Sequence, residues 1–258
     1  MGTKSNNDPS QEAPELDHVI HMRETCRFNV TENFNYAGSG VLHTFNYIVV
    51  RILAQIILHI YNFTFLGMKI KGRRNVIKLH GKGAVIVCNH VHPMDCTVID
   101  CAIPLKRIYY TTLEANFRIP LIRHIIRALG GVPIPKSPHR LKEMMDQMNA
   151  LLKRGKCVCM YPEGVLVPYC EYLRKFHDGA FRLSAESGAP LVPAVVTFRK
   201  PGWPRSLFRK RPCLTLNILE PLVPDEDVCM RERTQKLREE CFERMESAVE
   251  ENGEWMTA

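Results

Sequence analysis

The stretch Ala84-Val-Ile-Val-Cys-Asn-His-Val-His-Pro-Met-Asp95 decides the fold that this sequence predicts. Its first five residues form a short apolar run rich in β-branched side chains, which is typical of a buried parallel strand. Pro93 suits the first turn of a helix, since the proline ring fixes φ near the helical value. The pattern therefore places His90 on the loop after a strand and Asp95 in the first turn of the following helix.

The spacing of His90 and Asp95 has a geometric consequence. On a straight helix, residues five apart point about 140° away from each other. The two side chains can therefore meet only across a strand-to-helix turn. A histidine held by an aspartate has a fixed tautomer and a stabilised imidazolium, so it can take a proton from a hydroxyl group. The spacing also arises by chance, and a structural histidine satisfied by Asp95 is the alternative.

Composition restricts the class of protein without selecting one. The 258 residues suit one sizeable domain or one domain with an appendage, and 45% hydrophobic residues allow an ordinary core. The net charge of +8 favours an anionic partner, which could be nucleic acid, a membrane, or a phosphorylated or CoA-like substrate. Ten scattered cysteines and no visible signal peptide favour free thiols in a reducing compartment over a disulfide framework.

The N-terminal part of the chain divides into two segments. Residues 1–38 mix charges with Asn, Ser, Pro and Gly, which predicts a loosely ordered tail. Residues 39–70 are mostly apolar and long enough to cross a bilayer, which takes about 20 residues. Arg51, Gln55 and His59 interrupt this segment at a spacing of four, so a helix lying in the membrane interface is favoured. A helix packed on the protein's own core and a true membrane span are the alternatives.

From residue 69 onwards, predicted strands alternate with predicted helices. Apolar runs predict strands, and apolar residues at helical spacing predict helices. The predicted strands are 69–79 (with a turn at 71–73), 84–88, 107–112, 156–161, 191–198 and 214–219, and the predicted helices are 95–102, 116–129, 137–155, 178–188 and 230–251. Residues 131–136 are too rich in proline for a central strand, and Pro193 predicts a kink or an edge position for its strand.

A second abrupt change from apolar run to polar turn occurs after the strand at 156–161. The turn Pro162-Glu163-Gly164 places Glu163 at the carboxyl end of its strand, as Asn89 and His90 are placed on theirs. In open α/β sheets, ligand sites lie at this edge. We therefore expect these polar residues to lie on one edge of the sheet.

The segment Arg199–Arg211 contains six basic residues together with Trp203 and Phe208. This composition suits an anionic membrane surface. It also suits single-stranded nucleic acid. A solvated loop without a partner is an equal alternative.

Motifs of several other kinds of site are absent from the sequence. The chain has no P-loop, no Gly-x-Gly-x-x-Gly fingerprint and no Gly-x-Ser-x-Gly elbow. His90, His92 and Asp95, with Cys88 and Cys96 nearby, are ligand types that zinc accepts. No second histidine cluster supplies the remaining ligands, so a zinc-dependent hydrolase is a lesser alternative and no metal is expected.

Four motifs in order resemble the conserved blocks of the glycerolipid acyltransferase family, which includes the 1-acyl-glycerol-3-phosphate acyltransferases. They are Asn89-His90-x4-Asp95, Gly130–Lys136, Tyr161–Gly164 and Leu191–Val196. The resemblance covers roughly residues 41–220. It implies an α/β fold with a mixed, mostly parallel sheet flanked by helices, preceded by a membrane-interfacial helical element. Residues 71–258 would then be the acyltransferase domain, ending in an amphipathic helix.

The resemblance also implies an activity and its partners. A fatty acyl group would pass from acyl-CoA or acyl carrier protein to the free hydroxyl of a lysophosphatidate-like glycerolipid, with no other cofactor. His90 would be the general base and Asp95 would orient it, while Asn89, Glu163 and Gly164 would contribute to substrate binding. The protein would be associated with an anionic membrane surface, on its cytoplasmic face, and would not bind nucleic acid. A membrane-associated lipid-binding protein with an idle His-Asp pair is the main alternative.

Three of the four blocks depart from the family pattern. His92 stands where the family usually has Ser, and Val165-Leu166 stand where it has Thr-Arg. The missing arginine removes an expected phosphate contact. Lys136 replaces the arginine that usually ends the second block, so we expect Lys136 to supply the charge, with Arg118 as a lesser candidate.

Overall fold

The computed structural model describes residues 28, 30, 34–36, 41–79, 81–103, 106–207 and 209–253. Most of the predicted tail at 1–38 lies outside these residues. The strands in this part of the chain are β1 (Lys69–Lys71), β2 (Ala84–Cys88), β3 (Ile108–Leu113), β4 (Gly131–Ile134), β5 (Cys157–Met160), β6 (Leu191–Arg199) and β7 (Cys213–Ile218). The helices are α1 (Val41–Thr64), α2 (Arg73–Ile77), α3 (Asp95–Ala102), α4 (Pro120–Ala128), α5 (Pro138–Lys153), α6 (Gly179–Ser187) and α7 (Met230–Asn252), with 3-10 turns at Glu114–Arg118 and Arg205–Leu207.

The strands form one sheet in the order β1-β7-β6-β2-β5-β3-β4. Five neighbouring strands, from β6 to β4, run parallel, while β7 and β1 run in the opposite direction. The predicted α/β class with a mixed, mostly parallel sheet is therefore confirmed. Because β2 pairs in parallel with both β5 and β6, the carboxyl ends of these three strands meet at one edge of the sheet.

Helices cover both faces of this sheet. On one face α5, α6 and α7 pack over Val85 and Val87 of β2, and on the other α2 and α3 pack over Ile86 and Cys88. All five residues of β2 are buried. Burial on both faces explains why the run is apolar throughout instead of alternating with polar residues.

The prediction of an edge position for Pro193 is wrong, because β6 lies between β7 and β2. Leu191 directs its N–H to the carbonyl of Leu222, and Pro193, two residues later, faces the same side of the strand. Regular pairing with β7 begins only at Ala194. The missing N–H of Pro193 therefore falls between two stretches of pairing, where an internal strand can tolerate it.

Two element boundaries also differ from the prediction. The predicted strand 69–79 ends after three residues and is followed by α2. Gly72 adopts φ +72°, and a Cβ at this position would lie 2.0 Å from the carbonyl oxygen of Ile218, so glycine is required at the turn. The predicted helix 116–129 is divided into a 3-10 turn and α4, because Pro120 can begin a helix but cannot continue one.

The polar stripe of α1 faces the rest of the protein. The side-chain amide of Gln55 donates to Asp100 of α3 at 2.6 Å, and Arg51 lies 3.9 Å from the same carboxylate. Asn62 donates to the hydroxyl of Thr97 at 3.0 Å. The exposed large side chains of this helix are apolar or aromatic, namely Ile48, Val49, Val50, Ile52, Leu53, Ile56, Ile57, Ile60, Tyr61 and Phe63. The stripe that we interpreted as the polar side of an interfacial helix thus attaches α1 to α3.

Across the described ranges, no helix combines the length and the hydropathy needed to span a membrane.

Candidate active site

The strand-to-helix turn after β2 brings His90 and Asp95 together. The Nδ1 atom of His90 lies 3.0 Å from Oδ2 of Asp95. The same oxygen accepts the backbone N–H groups of Val91 at 2.8 Å and His92 at 2.9 Å. Because three groups converge on one oxygen of a fully buried residue, the carboxylate is fixed in position and in turn orients the imidazole.

One face of the His90 ring also packs against an aromatic side chain. It stacks on Tyr161, which follows β5, with ring centroids 4.2 Å apart and planes 19° apart. A quarter of the histidine side chain is exposed. Since Nδ1 is occupied by Asp95, Nε2 is the ring nitrogen left for a ligand.

Glu163 links the loops that follow β2 and β5. Its Oε2 accepts the backbone N–H of His90 at 3.3 Å, and its Oε1 accepts the backbone N–H of Arg174 at 3.3 Å. The carboxylate also pairs with the guanidinium of Arg174. Glu163 is buried, so it acts on the site by holding these backbone groups and by positioning the guanidinium of Arg174.

Gly164 follows Glu163 in an exposed turn. Its φ of +74° is the left-handed conformation that favours glycine. A Cβ at this position would lie 3.3 Å from the ring of His177. The turn therefore has no side chain between Glu163 and His177, and the N–H of Gly164 donates to the carbonyl oxygen of Tyr161 at 3.1 Å.

The side chain of Asn89 links β2 to β6 by hydrogen bonds. Its side-chain amide donates to the carbonyl of Val196 in β6 at 3.0 Å, and its carbonyl oxygen accepts the N–H of Val196 at 2.8 Å. Both ends of this buried amide are thus used between β2 and β6.

Lys136 and Arg118 lie farther along the sheet edge. Lys136 is exposed and follows β4, three strands from β2, while Arg118 ends the turn after β3, two strands from β2. At about 4.8 Å per strand, Lys136 begins roughly 14 Å across the sheet from the histidine loop. The structure thus groups His90, Asp95, Glu163 and Gly164 and places both predicted phosphate ligands apart from them.

Arg174 is the functional candidate that sequence reasoning missed. Its guanidinium contacts both the carboxylate of Glu163 and the carbonyl oxygen of Val165. Its Nε is buried and makes no hydrogen bond within the described part of the chain. Arg174 lies in an irregular segment with no periodicity and no motif spacing, so no local signal in the sequence could have identified it.

Burial changes the acidity of the groups around His90. It raises the pKa of the Cys96 thiol to about 12 and raises the pKa of the Tyr161 hydroxyl well above its ordinary value. Burial also lowers the pKa of His92, with Arg209 and Arg211 adding to this effect and Asp95 opposing it. The Nδ1 atom of His92 accepts the N–H of Met94 at 3.1 Å, which agrees with a neutral ring. The Cys96 thiol therefore stays protonated and provides no competing thiolate nucleophile beside His90.

The possible metal ligands His90, His92 and Asp95 lie in the turn after β2. Within the residues described, no three His, Cys, Asp or Glu side chains are grouped so that they could bind a metal ion. The nine cysteines that the structure describes are all unpaired, and burial raises the pKa of the Cys88 thiol as well.

These features define an α/β protein with an aspartate-oriented histidine at the carboxyl edge of its sheet. A family model described as "Acyltransferase" matches residues 67–197, just over half of the chain. The chain belongs to this acyltransferase family.

Curated relatives carry related names. A 1-acyl-sn-glycerol-3-phosphate acyltransferase of Limnanthes douglasii is 23% identical over 178 residues, which cover 68% of this chain and 60% of that protein. The enzyme of the same name from Limnanthes alba is 24% identical over 148 residues, 56% of this chain and 52% of that one. The chain thus spans between half and two thirds of the length of these two relatives.

A solved structure shares the fold. The crystal structure of the 1-acyl-sn-glycerophosphate acyltransferase PlsC from Thermotoga maritima matches with a TM-score of 0.58 and 21% identity. The match covers 81% of this chain and 86% of that one.

Proposed function

We propose that the protein transfers a fatty acyl group from acyl-CoA or acyl carrier protein to the free hydroxyl of a lysophosphatidate-like glycerolipid. The observation that carries this proposal is the contact of 3.0 Å between Nδ1 of His90 and a fully buried Asp95, which leaves Nε2 available for the acceptor hydroxyl. Family membership and the names of the curated relatives support the reaction class.

The proposed mechanism uses His90 as a general base. Its Nε2 takes the proton of the acceptor hydroxyl as that oxygen attacks the thioester carbonyl carbon. The new C–O bond forms, the C–S bond breaks, and the departing thiolate recovers the proton from the imidazolium. Asp95 stabilises the imidazolium while the proton resides there. No acyl-enzyme is needed, which agrees with the raised pKa values of the neighbouring thiols.

The reaction can be tested by thiol release with purified protein, each acyl donor, and a panel of acceptors. The panel contains lysophosphatidate, lysophosphatidylcholine, monoacylglycerol and glycerol 3-phosphate. We expect release that depends on the acceptor and is fastest with lysophosphatidate. The absence of release with both donors and every acceptor would contradict the proposal and favour a lipid-binding protein with an idle His-Asp pair.

We assign recognition of the acceptor phosphate to Arg174, because it provides a guanidinium beside the Glu163-Gly164 turn. Arg174→Ala should raise KM for lysophosphatidate by about 10- to 100-fold, since hydrogen bonds to charged groups contribute about 1.5–3 kcal/mol. Initial rates against acceptor concentration measure this change. Lys175→Ala removes an exposed charge from the adjacent position and should leave KM unchanged.

Monoacylglycerol, which lacks a phosphate, separates two roles of Arg174. If the variant loses activity equally with monoacylglycerol and lysophosphatidate, the arginine acts only by holding Glu163. If Lys136→Ala raises KM while Arg174→Ala does not, the phosphate lies nearer to β4, as the sequence suggested.

The protein is further proposed to associate with the cytoplasmic face of a membrane through α1. The support is the outward apolar face of that helix.

A further inference from the structure

The connection between β6 and β7 packs against the carboxyl end of α1. We call residues 200–211 the β6–β7 loop. Arg205 donates to the carbonyl oxygen of Phe63 at 2.9 Å, and Arg209 contacts the carbonyl oxygen of Phe65. The last carbonyls of a helix have no partner within the helix and carry partial negative charge. These arginines therefore fix the loop to the end of the helix.

Two large apolar side chains on this loop remain uncovered. Trp203 is 84% exposed and Leu207 is 76% exposed, and they flank Arg205 in sequence. At the end of α1, Phe65 is 64% exposed. Because Arg205 attaches the loop to the carboxyl end of α1, these exposed apolar side chains lie close to that end of the helix. A contiguous group of large exposed apolar side chains is typical of an interaction site.

The chain segments that carry this apolar surface contain basic residues and no acidic ones. The sequence contains no Asp or Glu from residue 33 to 94, or from residue 199 to 219. Exposed basic residues lie on the loop and on the segment that follows α1: Lys200, Lys210 and Arg211 on the loop, and Lys69, Lys71, Arg73, Arg74 and Lys78 in β1 and α2. An aliphatic face with a basic border fits lipid tails below anionic head groups. Nucleic acid would leave the aliphatic side chains exposed to water.

This surface lies beside the candidate active site. The guanidinium of Arg211 lies 5.9 Å from the ring centroid of Tyr169, and Tyr169 packs edge-on against His92 at 5.7 Å. The loop begins where β6 ends, at the same sheet edge as the histidine turn after β2. A lipid held at the loop would therefore lie at the border of the site.

We propose that the β6–β7 loop is a second membrane-binding element, which forms one docking surface for an anionic lipid bilayer together with the outward face of α1. Trp203 and Leu207 enter the interface between head groups and acyl chains, and Lys200 and Lys210 contact anionic head groups. The lipid-binding part of this inference does not depend on the proposed reaction. Only the further idea that the loop delivers a lipid acceptor to His90 rests on the proposed acyl transfer.

Vesicle sedimentation of the full chain tests the proposal. Vesicles contain phosphatidylcholine alone or phosphatidylcholine mixed with phosphatidylglycerol. Lys200→Glu/Lys210→Glu should weaken binding to the mixed vesicles on the order of 10- to 100-fold, given the contribution of each basic residue near an anionic surface. Trp203→Ala/Leu207→Ala should weaken binding to both kinds of vesicle. The matched control is Lys142→Glu/Lys153→Glu on α5, which lies on the opposite face of the sheet and should bind like the unmodified protein.

Fluorescence provides a second readout. The chain has two tryptophans, so a Trp255→Phe variant reports Trp203 alone. Its emission should shift to shorter wavelength when mixed vesicles are added. Unchanged emission from vesicle-bound protein, or loop variants that bind as tightly as the α5 control, would overturn the proposal and leave α1 as the contact. Repeating the binding with His90→Ala distinguishes this failure from a failure of the reaction, since binding needs no turnover.

Discussion

Replacement of His90 by alanine should reduce acyl transfer by about 10²- to 10⁴-fold, the usual contribution of a positioned general base. The variant removes the Nε2 atom that would take the hydroxyl proton, and it leaves the backbone bond from residue 90 to Glu163 in place. Because a quarter of the histidine side chain is exposed, the substitution creates no enclosed cavity. The fold should therefore persist while the chemistry fails.

Thiol release with lysophosphatidate measures the loss, and a thermal melt establishes that the variant is folded. His139→Ala is the matched control, because His139 is an exposed histidine on α5 that pairs with Glu143. The control should retain full activity. If His90→Ala turned over near the unmodified rate, the proposed mechanism would be wrong.

Replacement of Asp95 by asparagine should cause a loss of similar size, about 10²- to 10⁴-fold. The amide has nearly the shape of the carboxylate, but it has no charge to stabilise the imidazolium. An amide can also stabilise the wrong tautomer of His90. Because the two residues act as a unit, the double variant His90→Ala/Asp95→Asn should be hardly slower than either single variant.

The structure offers a close control for Asp95→Asn. Asp100 is a second buried carboxylate on α3, bonded to Gln55 of α1 and turned away from His90. Asp100→Asn makes the same chemical change in the same helix and should leave kcat unchanged in detergent solution. Multiplicative losses in the double variant would contradict the coupling, and equal losses in the two aspartate variants would indicate damage to α3 instead of to the site.

The features that were predicted most accurately from the sequence are those that depend on residues close together in the chain. The contact between His90 and Asp95 follows from a strand, a turn and a helix start within twelve residues, so it needs no knowledge of distant elements. The strand 84–88 and the helix 137–155 were equally evident, because burial on both faces leaves a continuous apolar run and burial on one face leaves apolar residues at helical spacing.

Contacts between distant segments were not predictable in this way. Arg174 lies eleven residues beyond Glu163 in an irregular loop, and its ion pair with that carboxylate depends on the path of the loop. Asn89 was expected to bind substrate, yet its amide hydrogen-bonds Val196, more than a hundred residues away. Spacing in sequence carries no information about such pairs.

The α/β class, the position of the histidine turn and the amphipathic character of α1 can all be predicted from the amino-acid sequence. The outward face of α1 is known only from the three-dimensional structure, since the polar stripe could face either head groups or Asp100. The same holds for the internal position of the strand that contains Pro193 and for the contact of the β6–β7 loop with the end of α1. The physical reason is that periodicity along the chain records whether a face is buried, whereas the identity of the group that buries it depends on how the sheet is assembled.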